Sequence, residues 1–437
     1  MKAPSRGVNS RGRGDWIADF PVIAFAGASQ GDIMPSARLR LTLFAIAAIV
    51  PAAVANASTT TVIYSFQGGA DGSYTDTDLV RDAAGNLYGT SVRGGDHASG
   101  TVWRLHPNGD GSWTHTVLYS FTGGADGAEP YKGGTLDSAG NLYGTAVTGG
   151  GGACEGGCGV AYKLANAGGV WTQTVIHQFA GADDGSGPGA RLTLDENGTV
   201  YGMAPTGGAF GAGTIYEMKP GKRGYAFKVI HPFTGGADGA GGSAGALVLR
   251  GGALYGAATS GGSDGEGTVY ELRRKPNGGW AFHLLYAFQD QPDGGFPYGG
   301  LAFDALGNIY GTTYYAGAND VGAVYELSPR KAGWNERLLY SFGGYDGASS
   351  IGNVSFDGAG NLYGTASSGG GAGLGVIFKL APEAHRTWKE SVAHGFAGAP
   401  DGALPYNGMV SDGQGHFFGA TAHGGTSDNG AIYQFTP

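Results

Sequence analysis

From Thr59 to the end of the chain, short runs of β-branched and aromatic residues alternate with turns rich in glycine, aspartate and asparagine. No stretch carries apolar residues at helical spacing, so the pattern predicts strands throughout. Within residues 134–179 it predicts four: A at Gly134–Asp137, B at Leu142–Val147, C at Val160–Leu164 and D at Trp171–Phe179. The turn between A and B has the form D-x-x-G-N, as at Asp82, Asp137, Asp304 and Asp357, which suits an Asx-type turn with a glycine at positive φ.

This set recurs around the chain. A phrase of the type G-N-L-Y-G-T places its aromatic at Tyr88, Tyr143, Tyr201, Tyr255, Tyr310, Tyr363 and Phe418. A second, G-T-V-Y-x-L, places one at Trp103, Tyr162, Tyr216, Tyr270, Tyr325, Phe378 and Tyr433. A third ends in Phe66, Phe121, Phe179, Phe233, Phe288, Phe342 and Phe396, as Y-x-F or H-x-F before a turn containing Asp-Gly. Eight residues ahead of six of these phenylalanines stands another large ring, Trp113, Trp171, Tyr225, Trp280, Trp334 or Trp388. An even spacing predicts both rings on one face of the strand.

Seven units of four strands describe an all-β fold, a seven-bladed β-propeller. The last unit stops after its C strand, whereas the first D strand, Thr59–Phe66, precedes any complete unit. The expectation is that this N-terminal strand completes the last blade and closes the ring, hiding the sheet edges. A parallel β-solenoid is the competing architecture, but its coils are usually shorter and need no such exchange of a terminal strand.

The segment before Thr59 has a different character. Leu41–Val50 is a short apolar run behind Arg38 and Arg40, and Ala55-Asn56-Ala57 has the small-x-small form of a signal-peptidase site. Residues 1–33 therefore read as an artefact of the assigned start or an unstructured leader, with translation beginning at Met34. Residues 34–57 read as a signal peptide, and 58–437 as the propeller. Ten apolar residues are too few to span a bilayer, so no membrane insertion is expected after cleavage. Of the 437 residues 89 are glycine, in keeping with the density of turns. Removing residues 1–57, with six basic and three acidic side chains, takes the formal charge from −9 to −12, which argues against a nucleic-acid partner. The product is expected to be secreted, extracellular or periplasmic, and monomeric.

The phrases Tyr88-Gly89-Thr90, Gly94-Gly95 and Gly100-Thr101-Val102-Trp103-Arg104-Leu105, repeated around the chain, resemble the GloVer tandem-repeat family of exported bacterial proteins. The resemblance covers essentially all of Ser58–Pro437. It implies export and a repeat fold, but no activity or catalytic residues, because the family has none established to carry over. Many relatives end in a sorting or anchoring segment, whereas this chain stops inside its last blade, which favours a freely soluble product. A kelch-like reading fits less well, because the aromatics stand at other offsets from the Gly-Gly pairs.

The candidate chemistry is sparse. Cys154 and Cys158 are the only cysteines, and they fall in a B-to-C stretch four residues longer than its six counterparts. With Gly156 and Gly157 between them they read as a local disulfide, and zinc would need further ligands. The repeated Asp71, Asp126, Asp184, Asp238, Asp293, Asp346 and Asp401 supply one carboxylate per loop, short of a calcium shell, and read as turn caps or blade-to-blade bonds. Gly261–Gly265 matches G-x-S-x-G without the strand-turn-helix setting that motif requires. His177, His231 and His394 replace the tyrosine of Y-x-F and read as structural.

Function is therefore sought where blades differ. The D-to-A and B-to-C loops are expected to share one face. There the exceptions are Tyr131, Tyr298 and Tyr406, each after a proline, with Tyr74 near the equivalent place in the first blade, and Arg93, Tyr315 and His423 just before the Gly-Gly position. Exposed tyrosine rings beside polar groups suit a sugar or an extended peptide. The leading expectation is a non-enzymatic binding or scaffold protein for a polysaccharide or another envelope component, with no cofactor or metal. The alternatives are a carbohydrate-active lyase or glycosidase, marked by two carboxylates roughly 5 to 10 Å apart with one raised pKa, and a surface adhesion or array component.

Overall fold

A computed structural model describes residues 58–242, 245–289 and 291–437; the leader and signal peptide read from residues 1–57 lie outside the described residues. Seven antiparallel sheets, each with a four-strand path, form a seven-bladed β-propeller. Blade two consists of A Gly134–Leu136, B Leu142–Ala146, C Val160–Ala167 and D Val170–Gln178, close to the expected ranges. In blade four an additional strand, Ala240–Gly242, pairs with the same B strand as Val248–Arg250.

Blade seven is completed as the sequence suggests. Its A, B and C strands are Val410–Ser411, Phe417–Thr421 and Ala431–Thr436, and its outermost strand is Thr59–Ser65. Thr59 lies opposite Thr436, Val62 opposite Tyr433 and Ser65 opposite Ala431. The Phe66 amide then donates to Gly430 O at 3.0 Å.

The three sequence phrases meet between blades. Each D-strand phenylalanine packs against the C-strand ring of the following blade: Phe66 on Trp103, Phe121 on Tyr162, Phe179 on Tyr216, Phe233 on Tyr270, Phe288 on Tyr325, Phe342 on Phe378 and Phe396 on Tyr433. The centroids are 5.1 to 5.5 Å apart. Such pairs contribute roughly 0.5–1.5 kcal/mol beyond area burial. The C-strand ring in turn lies across the glycine of G-N-L-Y-G-T. A Cβ on Gly144 would overlap the Tyr162 ring, which is why this otherwise ordinary strand position holds glycine. The aspartate of the A-to-B turn serves the same phrase: Asp137 accepts from the Ala139 and Asn141 amides at 3.0 and 2.9 Å, from Asn141 Nδ2 at 2.8 Å and from Tyr143 Oη at 3.2 Å.

One expectation is overturned. The paired rings of a D strand do not share a face, because every D strand carries a β-bulge three residues before its phenylalanine, at Ile63, Leu118, Ile176, Ile230, Leu285, Leu339 and Ala393. The extra residue reverses the side-chain alternation. Phe121 consequently packs toward blade two, whereas Trp113 turns to blade seven, 5.8 Å from Phe418. Trp171, Trp280 and Trp388 likewise meet Tyr88, Tyr201 and Tyr310 of the preceding blade.

The Asp-Gly aspartates cap their turns. In each blade the carboxylate accepts from the backbone amide after the phenylalanine and bonds the tyrosine or histidine of Y-x-F or H-x-F, as in Tyr119 Oη to Asp126 at 2.9 Å and His231 Nε2 to Asp238 at 3.0 Å. The three histidines therefore substitute for a tyrosine donor. Burial pulls His177 and His231 below the ordinary imidazole range.

Two outer seams carry an electrostatic mismatch. Burial, aided by Asp293, pushes Glu336 up to about 7, and burial, aided by Asp346, does the same to Glu390. One oxygen of each is buried without a hydrogen-bond partner among the described residues. A carboxyl whose folded pKa exceeds its unfolded value of 4.5 contributes stability that is complete below pH 4.5 and lost as pH rises through about 7. Replacing both residues with glutamine should therefore stabilise the protein progressively more from pH 5 to pH 8. Allowing for solvent screening, the gain should reach about 1 kcal/mol per site. Urea unfolding of parent and double variant at the two pH values measures the difference; equal differences at both would contradict it.

Candidate functional site

The D-to-A and B-to-C loops do share a face, and they are tied together in every blade. Ser73 pairs with Arg93, Ala128 with Thr148, Ser186 with Thr206, Ala240 with Ser260, Gly295 with Tyr315, Ala348 with Ser368 and Ala403 with His423. Arg93, Tyr315 and His423 thus occupy equivalent stations on one rim. One residue after each D-to-A partner the backbone enters the left-handed region, at Tyr74, Glu129, Gly187, Gly241, Phe296, Ser349 and Leu404, with φ between 55° and 65°. Tyr74 therefore corresponds to Glu129, two positions before Tyr131, and is not the first-blade counterpart of the Pro-Tyr tyrosines.

The seven rim residues fall into two groups. At the seam where the ring closes, the Arg93 guanidinium lies 5.4 Å from the Tyr74 ring centroid, and Tyr74 meets His423 edge to face at 5.5 Å. Tyr131 and Tyr406 stand close enough to Tyr74 that ionisation of either would oppose its own, and burial together with Asp76 drives the Tyr74 and Tyr131 hydroxyls well above their ordinary range. On blade five, Tyr298 packs against Tyr314, and Tyr314 against Tyr315 at 4.4 Å.

The expected platform of exposed rings is only partly present. Tyr315 is 48% exposed, but Tyr131 and Tyr406 are 8% and 7% exposed and are built into the loop layer. The reason is the residue after each. Lys132 Nζ reaches Asp76 Oδ1 at 2.7 Å and Asn407 Oδ1 at 2.7 Å, and Asn407 Nδ2 donates to Asp76 Oδ1 at 2.8 Å. All three side chains are buried, so the triad pins the D-to-A loops of blades seven, one and two over their tyrosines. Other rings stand more exposed on the same loops, Phe210 at 61% and Tyr345 at 72%.

The A strands end each sheet on the inside and leave their inner edges around the axis, where two cavities of 230 and 410 Å³ lie. Asp78, Arg191 and Asn353 line both. At the residue before the start of the inner layer these blades carry Asp78, Arg191 and Asn353, whereas the others carry Gly133, Ala246, Gly300 and Gly408. Burial raises the Asp78 pKa against the pull of Arg191 and Lys132, and Asp76 adds to the rise. The sequence reading missed this group and the Asp76–Lys132–Asn407 triad; the signal of the axial group is the replacement of a small residue at one repeat position.

Cys154 and Cys158 form a disulfide, with Cα atoms 5.1 Å apart. In the other six B-to-C loops a glycine amide closes on a carbonyl six residues earlier, as Gly100 does on Gly94; here Gly159 closes on Gly149, so the four extra residues form the cysteine loop. Cys158 joins the core beside Phe179. Gly261–Gly265 lies between the B and C strands of blade four, Ala253–Ser260 and Thr268–Arg274, with Ser263 Oγ bonded to Asp264 at 2.8 Å, so it is no nucleophile elbow.

Residues 50–270 and 242–437 match the repeat described as the Gloeobacter/Verrucomicrobia repeat. No curated protein matches the chain in sequence. In fold it is similar to the extracellular domain of a putative hybrid two-component system from B. thetaiotaomicron, at 11% identity and a TM-score of 0.50. The match covers 85% of this chain and 39% of that one. It is also similar to an ancestral GH74 enzyme, at 11% identity and a TM-score of 0.53, over 84% of this chain and 48% of that one. The chain thus spans less than half of either protein, and identities this low speak to the fold alone.

Proposed function

The chain belongs to the Gloeobacter/Verrucomicrobia repeat family, and from that premise we propose that it is an exported, non-enzymatic binding or scaffold protein whose loop-rich face recognises a polysaccharide or another envelope component. The observation that carries the reading is the grouping of Tyr74, Arg93 and His423 at the closing seam, above the Asp76–Lys132–Asn407 triad. Ring faces and edges beside a guanidinium and an imidazole offer both stacking and hydrogen bonds to a polyhydroxylated chain. Export is supported by the family and by the extracellular setting of one fold relative. It is also consistent with a closing strand that begins at Thr59, because cleavage after Ala57 would leave that strand whole.

A glycan array and a turnover screen on the purified protein test the proposal. Arg93→Ala, His423→Ala and Tyr74→Asn, the last chosen because asparagine tolerates the left-handed backbone, should together weaken binding to the array hits about ten-fold or more. Binding by the triple variant equal to that of the parent on every hit would sink the reading.

The enzymatic alternative has one observation in its favour: Asp78, whose pKa burial raises, lies near a second carboxylate, Asp76, which is ion-paired with Lys132. Turnover that Asp78→Asn abolishes would favour that alternative.

A further inference from the structure

The axial cavities are separate from the rim and carry chemistry that the loop-face reading does not use. Their common wall presents one guanidinium, one carboxyl and one amide, from Arg191, Asp78 and Asn353. Arg191 Nε is buried with no hydrogen-bond partner among the described residues, and no ion pair within 4.0 Å joins the guanidinium to Asp78. A buried donor of this kind is costly unless an acceptor reaches it. The planar guanidinium fork matches a carboxylate in two parallel bonds.

We propose that the axial cavity is a second binding site, for a small hydroxy acid of the size of one uronic acid residue, its carboxylate on Arg191 and its hydroxyls on Asn353 and Asp78. Three features select this class. A single arginine suits a monoanion, because one guanidinium balances one negative charge and a phosphate dianion would keep a second, uncompensated charge in the cavity. The unpaired inner edges of the A strands, such as Thr193–Leu194 and Val248–Arg250, add backbone donors and acceptors for hydroxyls. The larger cavity, 410 Å³, is at the lower end of the roughly 300–1,000 Å³ of small-molecule sites. The raised proton affinity of Asp78 fits the same picture, since its neutral form donates a hydrogen bond.

The test is a calorimetric titration of the purified protein with D-galacturonate, D-galactose, acetate and inorganic phosphate, up to millimolar concentrations. Galacturonate should bind, with galactose, acetate and phosphate each about ten-fold weaker or worse. Arg191→Gln should remove about ten-fold in affinity for galacturonate, Arg191→Lys, which keeps the charge and loses the fork, should fall between, and Asn353→Ala should weaken binding several-fold. Lys228→Ala, a charge on an exposed outer strand, controls for non-specific attraction and should bind as the parent does. A thermal melt of each variant confirms folding, and Arg191→Lys carries the test if Arg191→Gln does not fold. Equal affinity for galactose, tighter binding of phosphate, a folded Arg191→Gln or Arg191→Lys variant with parental affinity, or no heat from any probe would each overturn the proposal. Loss of glycan binding at the rim leaves this result unaffected, so the two readings fail separately.

Discussion

A chain that begins at Gln67 should not fold to a cooperative monomer, whereas one that begins at Ser58 should unfold with the stability of the full chain. Truncation to Gln67 removes the six-pair ladder of Thr59–Ser65 along Ala431–Thr436 and the fully buried Phe66. Loss of a phenylalanine of this kind alone costs about 3–5 kcal/mol. Net domain stabilities are only about 5–15 kcal/mol, so the ladder and the ring together amount to a large share of the whole. The truncation also bares the C strand of blade seven as a long apolar edge, which invites pairing with another chain. Urea unfolding and size-exclusion chromatography check both expectations; a monomer of parental stability from the Gln67 start would show that closure contributes little.

The second large effect lies in the aromatic belt between blades. Phe121→Ala should destabilise by about 3–5 kcal/mol, because Phe121 is fully buried and its ring is held 5.2 Å from Tyr162 of the next blade, with Leu142 and Val160 around it. Tyr119→Phe, two residues earlier, keeps the ring and loses only the 2.9 Å bond to Asp126, for about 1 kcal/mol. Denaturant midpoints of the two variants should differ in that order. A Phe121→Ala cost no greater than that of Tyr119→Phe would mean that the seam between blades one and two is not held by its rings.

These two effects rest on features legible in the sequence. The aromatic phrases recur because the same ring-on-ring contact is made seven times, and the closing strand is visible because Phe66 stands at the same distance from Tyr88 as Phe121 does from Tyr143. The D-strand bulge was hidden for the same reason: it is present in every unit, so it changes no spacing, and only the backbone reveals that Trp113 and Phe121 point to opposite neighbours. The candidate sites were half legible. Arg93 and His423 stood out as exceptions at a repeated loop position and do meet around Tyr74. Burial of Tyr131 and Tyr406 was not visible, because it depends on Lys132 and Asn407 reaching Asp76 across three blades. Asp78, Arg191 and Asn353 are far apart along the chain and become neighbours only when the ring places their blades around one axis.

Ring closure is the condition for the seam, the rim and the axial cavities alike, and amide hydrogen exchange reads it directly. The paired amides of Thr59–Ser65, together with the Phe66 amide bonded to Gly430, should exchange as slowly as those of Ala431–Thr436 in the same sheet. Exchange of residues 59–66 at the rate of a free terminus, with the C strand of blade seven still protected, would contradict a closed ring of seven blades.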